Sequence, residues 1–280
     1  MDIGVGLPAT LPGVPARELL TWATTAERLG FARLGVLDRL VYTSHEPLVA
    51  LAGAAAVTER IGLATTILVA ACRTDVALLA KQLAAVHDLS AGRLVVGVAA
   101  GGREDDFAMA GASFRDRGRR LDENLARIRR VWADERLVPP LPAGPPPIVV
   151  GGHSPAAMRR AARHGDGWIM GGGSAHAYPE LVARMKDAWT SAGRPGAPRM
   201  MAIAYTALGP GARDRAEQYL RDYYAGTGPY RDRVVRGLLT DEKAVDAMVR
   251  DHAAAGCDEL IFFPCVPDLG QLELLAEVTG

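Results

Sequence analysis

The chain alternates short β-rich runs with longer amphipathic stretches, and this alternation limits the possible folds more than any other feature. Eight runs are predicted as strands, at 2–7, 33–38, 61–70, 93–99, 147–152, 167–172, 199–208 and 259–264. Helices are predicted at 15–29, 47–58, 75–89, 117–132, 155–164, 178–192, about 212–224, 241–255 and 269–278. Eight such strands over 280 residues predict an α/β fold, a (β/α)8 TIM barrel, as a single domain. A doubly wound open sheet is the alternative, because alternation alone does not show whether the sheet closes.

Several connections interrupt this pattern. The stretch 138–147 contains six prolines and a glycine, so it cannot be a helix and is predicted to connect two halves of the barrel. Longer connections follow strands four and seven, and we expect insertions there. The segment between the helices at 212–224 and 241–255 has no clear pattern. We expect the loops around 39–47, 103–116 and 222–241 to shape substrate specificity.

Composition excludes several classes of protein. The chain carries 32 Lys and Arg against 32 Asp and Glu, and a general nucleic-acid binder needs a surplus of positive charge. Three widely spaced cysteines without a CxxC pattern argue against a disulfide framework or a zinc knuckle. No apolar run reaches the length of a membrane span, and no signal peptide is evident. We therefore predict a cytoplasmic protein without nucleic-acid or membrane partners.

The carboxyl ends of barrel strands are where chemistry is expected. Strand five ends in Gly151 and Gly152, and His153, Ser154 and Pro155 follow, of which serine suits a helix N-cap and proline the first helical position. Free amides at a helix N-terminus attract anions, so we expect a phosphate there. An ordinary capped helix is an equally good interpretation of the same residues.

Two other glycine-containing motifs are weaker. Gly4 and Gly6 fit a loose dinucleotide-binding fingerprint, but prolines follow and no helix begins there, so we interpret them as glycines inside a barrel strand. After strand four, the acids of 104–106 are interpreted as the solvated first turn of a short helix, not as metal ligands. We expect no metal site, and patterns typical of metal or serine hydrolases are absent from the sequence.

Two blocks of sequence resemble a known family. The block 80–107, AKQLAAVHDLSAGRLVVGVAAGGREDDF, and the block 146–172, PPIVVGGHSPAAMRRAARHGDGWIMGG, resemble the bacterial luciferase-like monooxygenases. Asp38 in GVLDR and the helix face of Arg119, Leu121 and Glu123 also fit. These enzymes are flavin- or deazaflavin-dependent barrels, so the resemblance implies that fold and cofactor class over nearly the whole chain.

The resemblance also implies a cofactor site. At Thr66 and Ile67 it implies a non-proline cis peptide that forms a bulge against the flavin ring. Other positions would line the ring or hold the phosphate through amides and the serine hydroxyl. The implied cofactor-binding residues are Thr66, Ile67, Ala99, Ala100, Gly101, Gly151, Gly152, His153, Ser154 and Gly171.

The chain departs from the family at three positions. Many members, especially deazaflavin enzymes, have histidine after the Asp of strand two, whereas this chain has Arg39. The luciferase itself has a cysteine and an arginine at the positions of Ala99 and Ala100, which argues against light emission here. We expect Arg39 or Arg103 to supply the missing positive charge. Arg39, His45 and Arg103 are the predicted catalytic residues.

The predicted function is oxidation by a flavin-dependent monooxygenase that uses reduced FMN and O₂ on a small organic substrate. The sequence contains no separate nicotinamide domain, so reduced flavin is expected from a separate flavin reductase, or from NAD(P)H bound in the same cleft. The alternatives are an F420-dependent hydride-transfer enzyme, a lyase, isomerase or aldolase acting on a phosphorylated metabolite, and a binding protein that retains the barrel.

The family often forms dimers, and we expect a homodimer. Apolar side chains of helices two and three, such as Leu48, Leu51 and Val57, are candidates for its interface. Burial of the same side chains against the barrel is the alternative interpretation.

Overall fold

A computed structural model describes residues 1–172 and 177–280. Eight parallel strands form a closed barrel in sequence order, and the circle is completed by pairing of β1 with β8. The strands are β1 (Asp2–Gly6), β2 (Arg33–Val36), β3 (Gly62–Leu68), β4 (Leu94–Val98), β5 (Ile148–Gly151), β6 (Gly167–Met170), β7 (Arg199–Thr206) and β8 (Glu259–Pro264). The predicted (β/α)8 TIM barrel is confirmed, and the open sheet is excluded because β1 and β8 pair.

Helices surround the barrel and cover its outer face. They are α1 (Ala16–Arg28), α2 (Pro47–Val57), α3 (Val76–Leu89), α4 (Glu104–Met109), α5 (Arg117–Trp132), α6 (Pro155–His164), α7 (Tyr178–Ser191), α8 (Ala212–Tyr223), α9 (Pro229–Arg236), α10 (Glu242–Ala254) and α11 (Gly270–Thr279). The outward side chains of the strands and the inward stripes of the helices form one large apolar core. A second core fills the barrel and continues under α8 and α9.

Glycines inside the barrel make room for large side chains. A Cβ added to Gly6 would lie 2.1 Å from Cδ1 of Phe263, and one added to Gly172 would lie 2.6 Å from Cε2 of Tyr205. The interpretation of Gly4 and Gly6 as barrel glycines is therefore confirmed.

A buried ion triad closes the amino-terminal end of the barrel. Glu259 of β8 is completely buried and accepts hydrogen bonds from Arg33 of β2 and Arg199 of β7, at 2.5 and 2.7 Å. Arg33 also donates to the main-chain oxygens of Leu63 and Arg93, at 3.2 and 3.3 Å. These bonds join several strands at the end of the barrel opposite its catalytic face.

The insertions after β4 and β7 lie at the carboxyl end of the barrel. The first contains the short helix α4, and the second contains α8 and α9. Within the segment whose pattern was unclear, Pro229–Arg236 forms α9. The predicted third strand is too long, because β3 ends at Leu68 and Ala70–Cys72 forms a 3₁₀ turn.

The proposed dimer faces are largely covered within the chain. Leu48 and Leu51 are 4% and 0% exposed, so these two side chains pack against the barrel and are not available to a partner. Val57 is 38% exposed. The homodimer itself stays a prediction. In residues 1–172 and 177–280, no helix combines the length and apolarity required to cross a membrane.

Candidate active site

A cavity of about 380 Å³ opens at the carboxyl end of the barrel, and we call it the mouth cavity. Its size and apolar walls are typical of small-molecule sites. The residues lining it are Leu37, Asp38, Arg39, Thr66, Ile67, Val69, Gly102, Arg103, Asp106, Gly171, Gly172, Ile203, Tyr223, Tyr224, Gly226, Thr227 and Tyr230. Five residues of the predicted site, Arg39, Thr66, Ile67, Arg103 and Gly171, are therefore brought together here.

A bulge in β3 forms one wall of the cavity. The pairing of β3 with β4 shifts between Thr65 and Leu68, which is where the family resemblance implied a bulge. The implied cis peptide at Thr66–Ile67 is wrong, because no described peptide bond is cis. A trans peptide is the lower-energy form for a residue other than proline. The bulge is held by hydroxyl bonds from Thr65 to the oxygen of Gly97 at 2.7 Å, and from Thr66 to the oxygen of Val36 at 3.1 Å.

Asp38 at the end of β2 is buried in a network of its own. Its carboxylate accepts bonds from the amide of Val69 and from the guanidinium of Arg73, both at 2.9 Å. Burial raises the pKa of Asp38, and Arg73 opposes that shift. Asp38 therefore fixes the chain after the bulge, and its charge is balanced.

Arg39 is buried, and each of its nitrogens donates to the protein. Nε donates to Asp106 at 3.2 Å, Nη1 to the oxygen of Tyr223 at 2.8 Å, and Nη2 to the oxygen of Val41 at 2.8 Å. Asp106, at 2% exposure, also accepts the amide of Val41 at 2.7 Å. The interpretation of residues 104–106 as a solvated turn is therefore wrong for Asp106, because its partner Arg39 comes from a distant strand end.

Arg103, in the loop after β4, also holds the insertion that follows β7. It pairs with Asp105 at 3.0 Å and donates to the main-chain oxygens of Tyr223 and Ala225. Together, Arg39 and Arg103 attach the segment 223–225 to the ends of β2 and β4. This segment forms the cap of the cavity.

Aromatic rings form the remaining wall, and sequence reasoning missed them. Tyr223 packs edge-on against Tyr224 with ring centroids 5.0 Å apart, and Tyr224 packs against Tyr230 at 5.5 Å. Tyr205 inside the barrel places its hydroxyl oxygen 2.5 Å from that of Tyr224. The signal in the sequence was the density of tyrosine, since four of the seven lie within residues 219–230.

Other predicted residues lie around the cavity without lining it. A Cβ on Gly151 would lie 2.3 Å from Cδ1 of Ile67, so the absence of a side chain at this position makes room for Ile67 of the bulge. Gly101 has a φ of 80°, and a Cβ there would lie 2.5 Å from Cγ1 of Val69. Ala99 and Ala100 are likewise not among the lining residues. Their predicted contacts with a cofactor stay predictions.

His45 lies away from the mouth cavity. Its Nε2 is 2.8 Å from the oxygen of Val14, and its amide donates to the oxygen of Ala9 at 2.8 Å. These contacts fix the loop after β2 against the loop after β1. The role predicted for His45 stays a prediction.

A second cavity, of about 450 Å³, lies on the other side of α9, and we call it the arginine cleft. Arg184 of α7 and Arg233 and Arg236 of α9 line it together with His153. Burial lowers the pKa of His153, and the charges of Arg233 and Arg184 lower it further. Glu180 also lines the cleft and lies 4.0 Å from Arg184, whereas Arg233 and Arg236 have no carboxylate of a described residue within ion-pair distance. The cleft therefore carries a net positive charge.

The predicted anion site borders this cleft. Ser154 caps α6 by accepting the amide of Ala157 at 3.2 Å, and Pro155 occupies the first helical position, as predicted. Gly152 has a φ of 125°, which only glycine adopts easily. Tyr230 and Arg233 lie one turn apart on α9, so this helix joins the mouth cavity to the arginine cleft. In the described part of the chain, no group of three acidic, histidine or cysteine side chains is placed to hold a metal ion.

Comparison with known proteins identifies relatives of this chain. A family model described as luciferase-like monooxygenase matches residues 1–256. An uncharacterized protein of Mycobacterium tuberculosis is 35% identical over 131 residues, 42% of this chain and 45% of that protein. An F420-dependent glucose-6-phosphate dehydrogenase of Intrasporangium calvum is 29% identical over 189 residues, 59% of this chain and 57% of that enzyme. The chain thus spans about half the length of these two curated relatives.

Solved structures with the same architecture cover the whole chain. The crystal structure of the monooxygenase RslO1 from Streptomyces bottropensis superposes with a TM-score of 0.82 at 23% identity, over 100% of this chain and 98% of that chain. At this identity the likeness concerns the fold. The family model covers most of the sequence and confirms the resemblance seen in its motifs. The chain therefore belongs to the luciferase-like monooxygenase family, which is a family of oxidoreductases.

Proposed function

We propose that this protein is a flavin-dependent monooxygenase that uses reduced FMN and O₂ to oxygenate a small, neutral, largely apolar substrate. The observation that carries the proposal is the mouth cavity with the arginine cleft beside it. The mouth cavity is suited to a flat ring and a substrate, and the arginine cleft is suited to a phosphate. Family membership favours redox chemistry over the lyase or isomerase alternative.

The residues of the mouth cavity fit a flavin ring. The bulge at Thr66 and Ile67 forms one wall, and Gly171 and Gly172 add no side chain to the cavity. A Cβ on Gly171 would lie 3.1 Å from the hydroxyl oxygen of Tyr230, so a side chain there would narrow the passage towards α9. In this proposal the ring lies against the bulge, and the ribityl chain passes this point.

The arginine cleft fits the phosphate. Guanidinium groups bind phosphate through paired hydrogen bonds, and the N-terminus of α6 adds its dipole. Ser154 accepts one bond as the helix cap and keeps its own proton to donate. Arg184, Arg233 and Arg236 were not predicted from the sequence, because they lie within helices and not at strand ends.

When bound, reduced FMN would supply the electrons that activate O₂. The protein would orient the substrate and keep water out with the tyrosines and the bulge. Oxidation of an alcohol requires a base to accept the hydroxyl proton. Among residues 1–172 and 177–280 no histidine lines the mouth cavity, and the two carboxylates that line it, Asp38 and Asp106, are held by arginines. This arrangement favours oxygenation over alcohol oxidation.

A second candidate is hydride transfer with the deazaflavin F420. It is supported by the F420-dependent relative and by the three arginines of the cleft, which exceed what one phosphate requires and suit a longer anionic tail. Since none of the described residues that line the mouth cavity is a free base, the favoured direction is reduction by reduced F420, with a tyrosine hydroxyl as the proton donor.

Titration of the purified protein with FMN and with F420, followed by fluorescence, tests both candidates. We expect FMN to bind, and ¹⁸O₂ supplied with reduced FMN to label the product. If neither FMN nor F420 binds, the proposal is contradicted. Binding of F420 with transfer of a hydride and without oxygen uptake establishes the second candidate.

The phosphate site has its own test. We expect Arg233→Gln combined with Arg236→Gln to weaken FMN binding at least about tenfold, because each charge-assisted bond contributes about 1.5–3 kcal/mol. Riboflavin lacks the phosphate and should bind the variant as well as the parent. Arg213→Gln, in an exposed ion pair on α8, is the matched control. Equal loss of FMN and riboflavin binding contradicts the assignment.

The partners can be tested with the same protein. We propose that a separate reductase supplies reduced flavin and that the chain forms a homodimer. Turnover with NADH and FMN alone contradicts the need for a reductase. Light scattering at the mass of one chain contradicts the dimer.

A further inference from the structure

Each charged side chain that lines the mouth cavity in residues 1–172 and 177–280 has an oppositely charged neighbour. Asp38 pairs with Arg73, and Asp106 pairs with Arg39 at 3.2 Å. Arg103 pairs with Asp105 at 3.0 Å. A ligand that enters the described part of the cavity therefore meets no uncompensated charge, and a charged substrate would lose its hydration without gaining a partner.

Most hydroxyl groups of the cavity are also committed. Thr66 donates to the oxygen of Val36 at 3.1 Å, and Thr227 donates to the oxygen of Tyr224 at 2.8 Å. Tyr230 donates to the oxygen of Gly172 at 3.3 Å. A hydroxyl group has a single proton, so none of these three can donate to a ligand without breaking a bond of the protein.

Tyr223 is different. Its side chain is more than nine-tenths buried, with 4% of the residue exposed, and it lines the cavity. Its hydroxyl has no hydrogen-bond partner among the described residues, yet it is not among the fully enclosed polar atoms. Its ring is held edge-on by Tyr42 at 5.1 Å, and its main-chain oxygen is held by Arg39. The described residues thus fix the ring and offer no hydrogen-bond partner to the hydroxyl.

The pair of Tyr224 and Tyr205 supplies a second donor. Their two hydroxyls carry two protons, and the bond between them, with oxygens 2.5 Å apart, uses one. The described residues provide no second acceptor for the other proton. Tyr224 lines the cavity next to Tyr223, with ring centroids 5.0 Å apart. When Tyr205 donates to Tyr224, the proton of the Tyr224 hydroxyl has no acceptor among the described residues, and this wall then presents two neighbouring donors without an acceptor.

We propose that the hydroxyls of Tyr223 and Tyr224 bind one oxygen atom of the substrate, so that the enzyme selects neutral, apolar molecules with a carbonyl or phenolic oxygen. This inference rests on the proposed function and names the substrate class of that site. A buried donor without an acceptor is costly, so an analogue that lacks the oxygen is rejected. Burial raises the pKa of Tyr223, which keeps its proton available at neutral pH.

A matched pair of probes tests the inference. Acetophenone and ethylbenzene have nearly the same shape, and only the ketone carries an acceptor. With FMN present, we expect calorimetry to show acetophenone binding about tenfold more tightly, consistent with one or two hydrogen bonds. We expect Tyr223→Phe to reduce this preference to about twofold, and Tyr224→Phe to reduce it in part. Tyr178→Phe is the control, since Tyr178 does not line the mouth cavity and packs against Trp168 and His252.

Infrared spectroscopy separates hydrogen bonding from a merely structural effect. The carbonyl stretch of bound acetophenone should lie at lower frequency in the parent and in Tyr178→Phe than in Tyr223→Phe. Equal binding of ketone and hydrocarbon by the parent, or an unshifted stretch, overturns the inference. If the protein binds no flavin, the proposed function is overturned. The substrate inference can still be tested in that case by the same measurements without FMN.

Discussion

At the scale of single residues, Arg39 shows how position and role can differ. From its place after strand two, Arg39 is expected to face the substrate, and it does border the mouth cavity. Its donors are nevertheless bonded to Asp106 and to main-chain oxygens, and its guanidinium lies 5.4 Å from the ring of Tyr42 and 5.5 Å from that of Tyr223. Its evident task is to hold the cap in place.

Removal of the partner of Arg39 tests this role. We expect Asp106→Ala to lower the free energy of unfolding by about 2–4 kcal/mol, because the buried guanidinium of Arg39 then keeps only the more exposed Asp105, 3.5 Å from its Nη2, as a counter-charge. Urea denaturation provides the measurement. Glu123→Ala, in an exposed pair with Arg119, should leave the midpoint unchanged. A loss in Asp106→Ala no larger than in this control would show that Arg39 is not dependent on the pair.

At the scale of elements, packing inside the barrel depends on glycines that leave room for large side chains of neighbouring strands. We expect Gly6→Ala to lower stability by about 1–3 kcal/mol, since the added methyl group would overlap the ring of Phe263. Phe263→Leu in the same chain should restore part of the loss. Thermal unfolding of the single and double variants provides the measurement, and additive losses would contradict this account.

The strands could be predicted because six of the eight β-rich runs end at, or directly before, a glycine, a proline or a charged residue. The run 61–70 has no such boundary, and its end was predicted too late. The motif 151–155 contains the N-cap serine of α6. The cap of the mouth cavity could not be predicted in the same way. Tyr223, Tyr224 and Tyr230 come together only because a helix end, a loop and a second helix turn back over the barrel. The pairing of Arg39 with Asp106 joins residues 67 positions apart, and local pattern does not encode it.

At the scale of the whole molecule, stability should depend on pH through buried histidines. Burial lowers the pKa of His87, His153, His164 and His252. Near pH 6 the unfolded chain therefore binds more protons than the folded one, and stability falls as the pH drops through about 6.5. We expect a lower free energy of unfolding at pH 5.5 than at pH 7.5, measured with urea.

The variant His252→Phe tests whether His252 contributes to the pH dependence of stability. His252 is stacked on Tyr178 with ring centroids 4.3 Å apart, and His252→Phe keeps an aromatic ring without a titrating group. The difference between the two pH values should be smaller in this variant. An unchanged difference would show that His252 does not contribute.

The way in which the cap is attached has a consequence for redesign. Arg39 and Arg103 grip the carbonyl groups of Tyr223 and Ala225, and every amino acid presents the same carbonyl. Side chains at 223–225 can therefore be varied in a library while the two guanidinium anchors stay engaged. Selectivity and closure are thus separable properties in this barrel, and the tyrosine wall is the natural starting place for directed evolution towards new substrates.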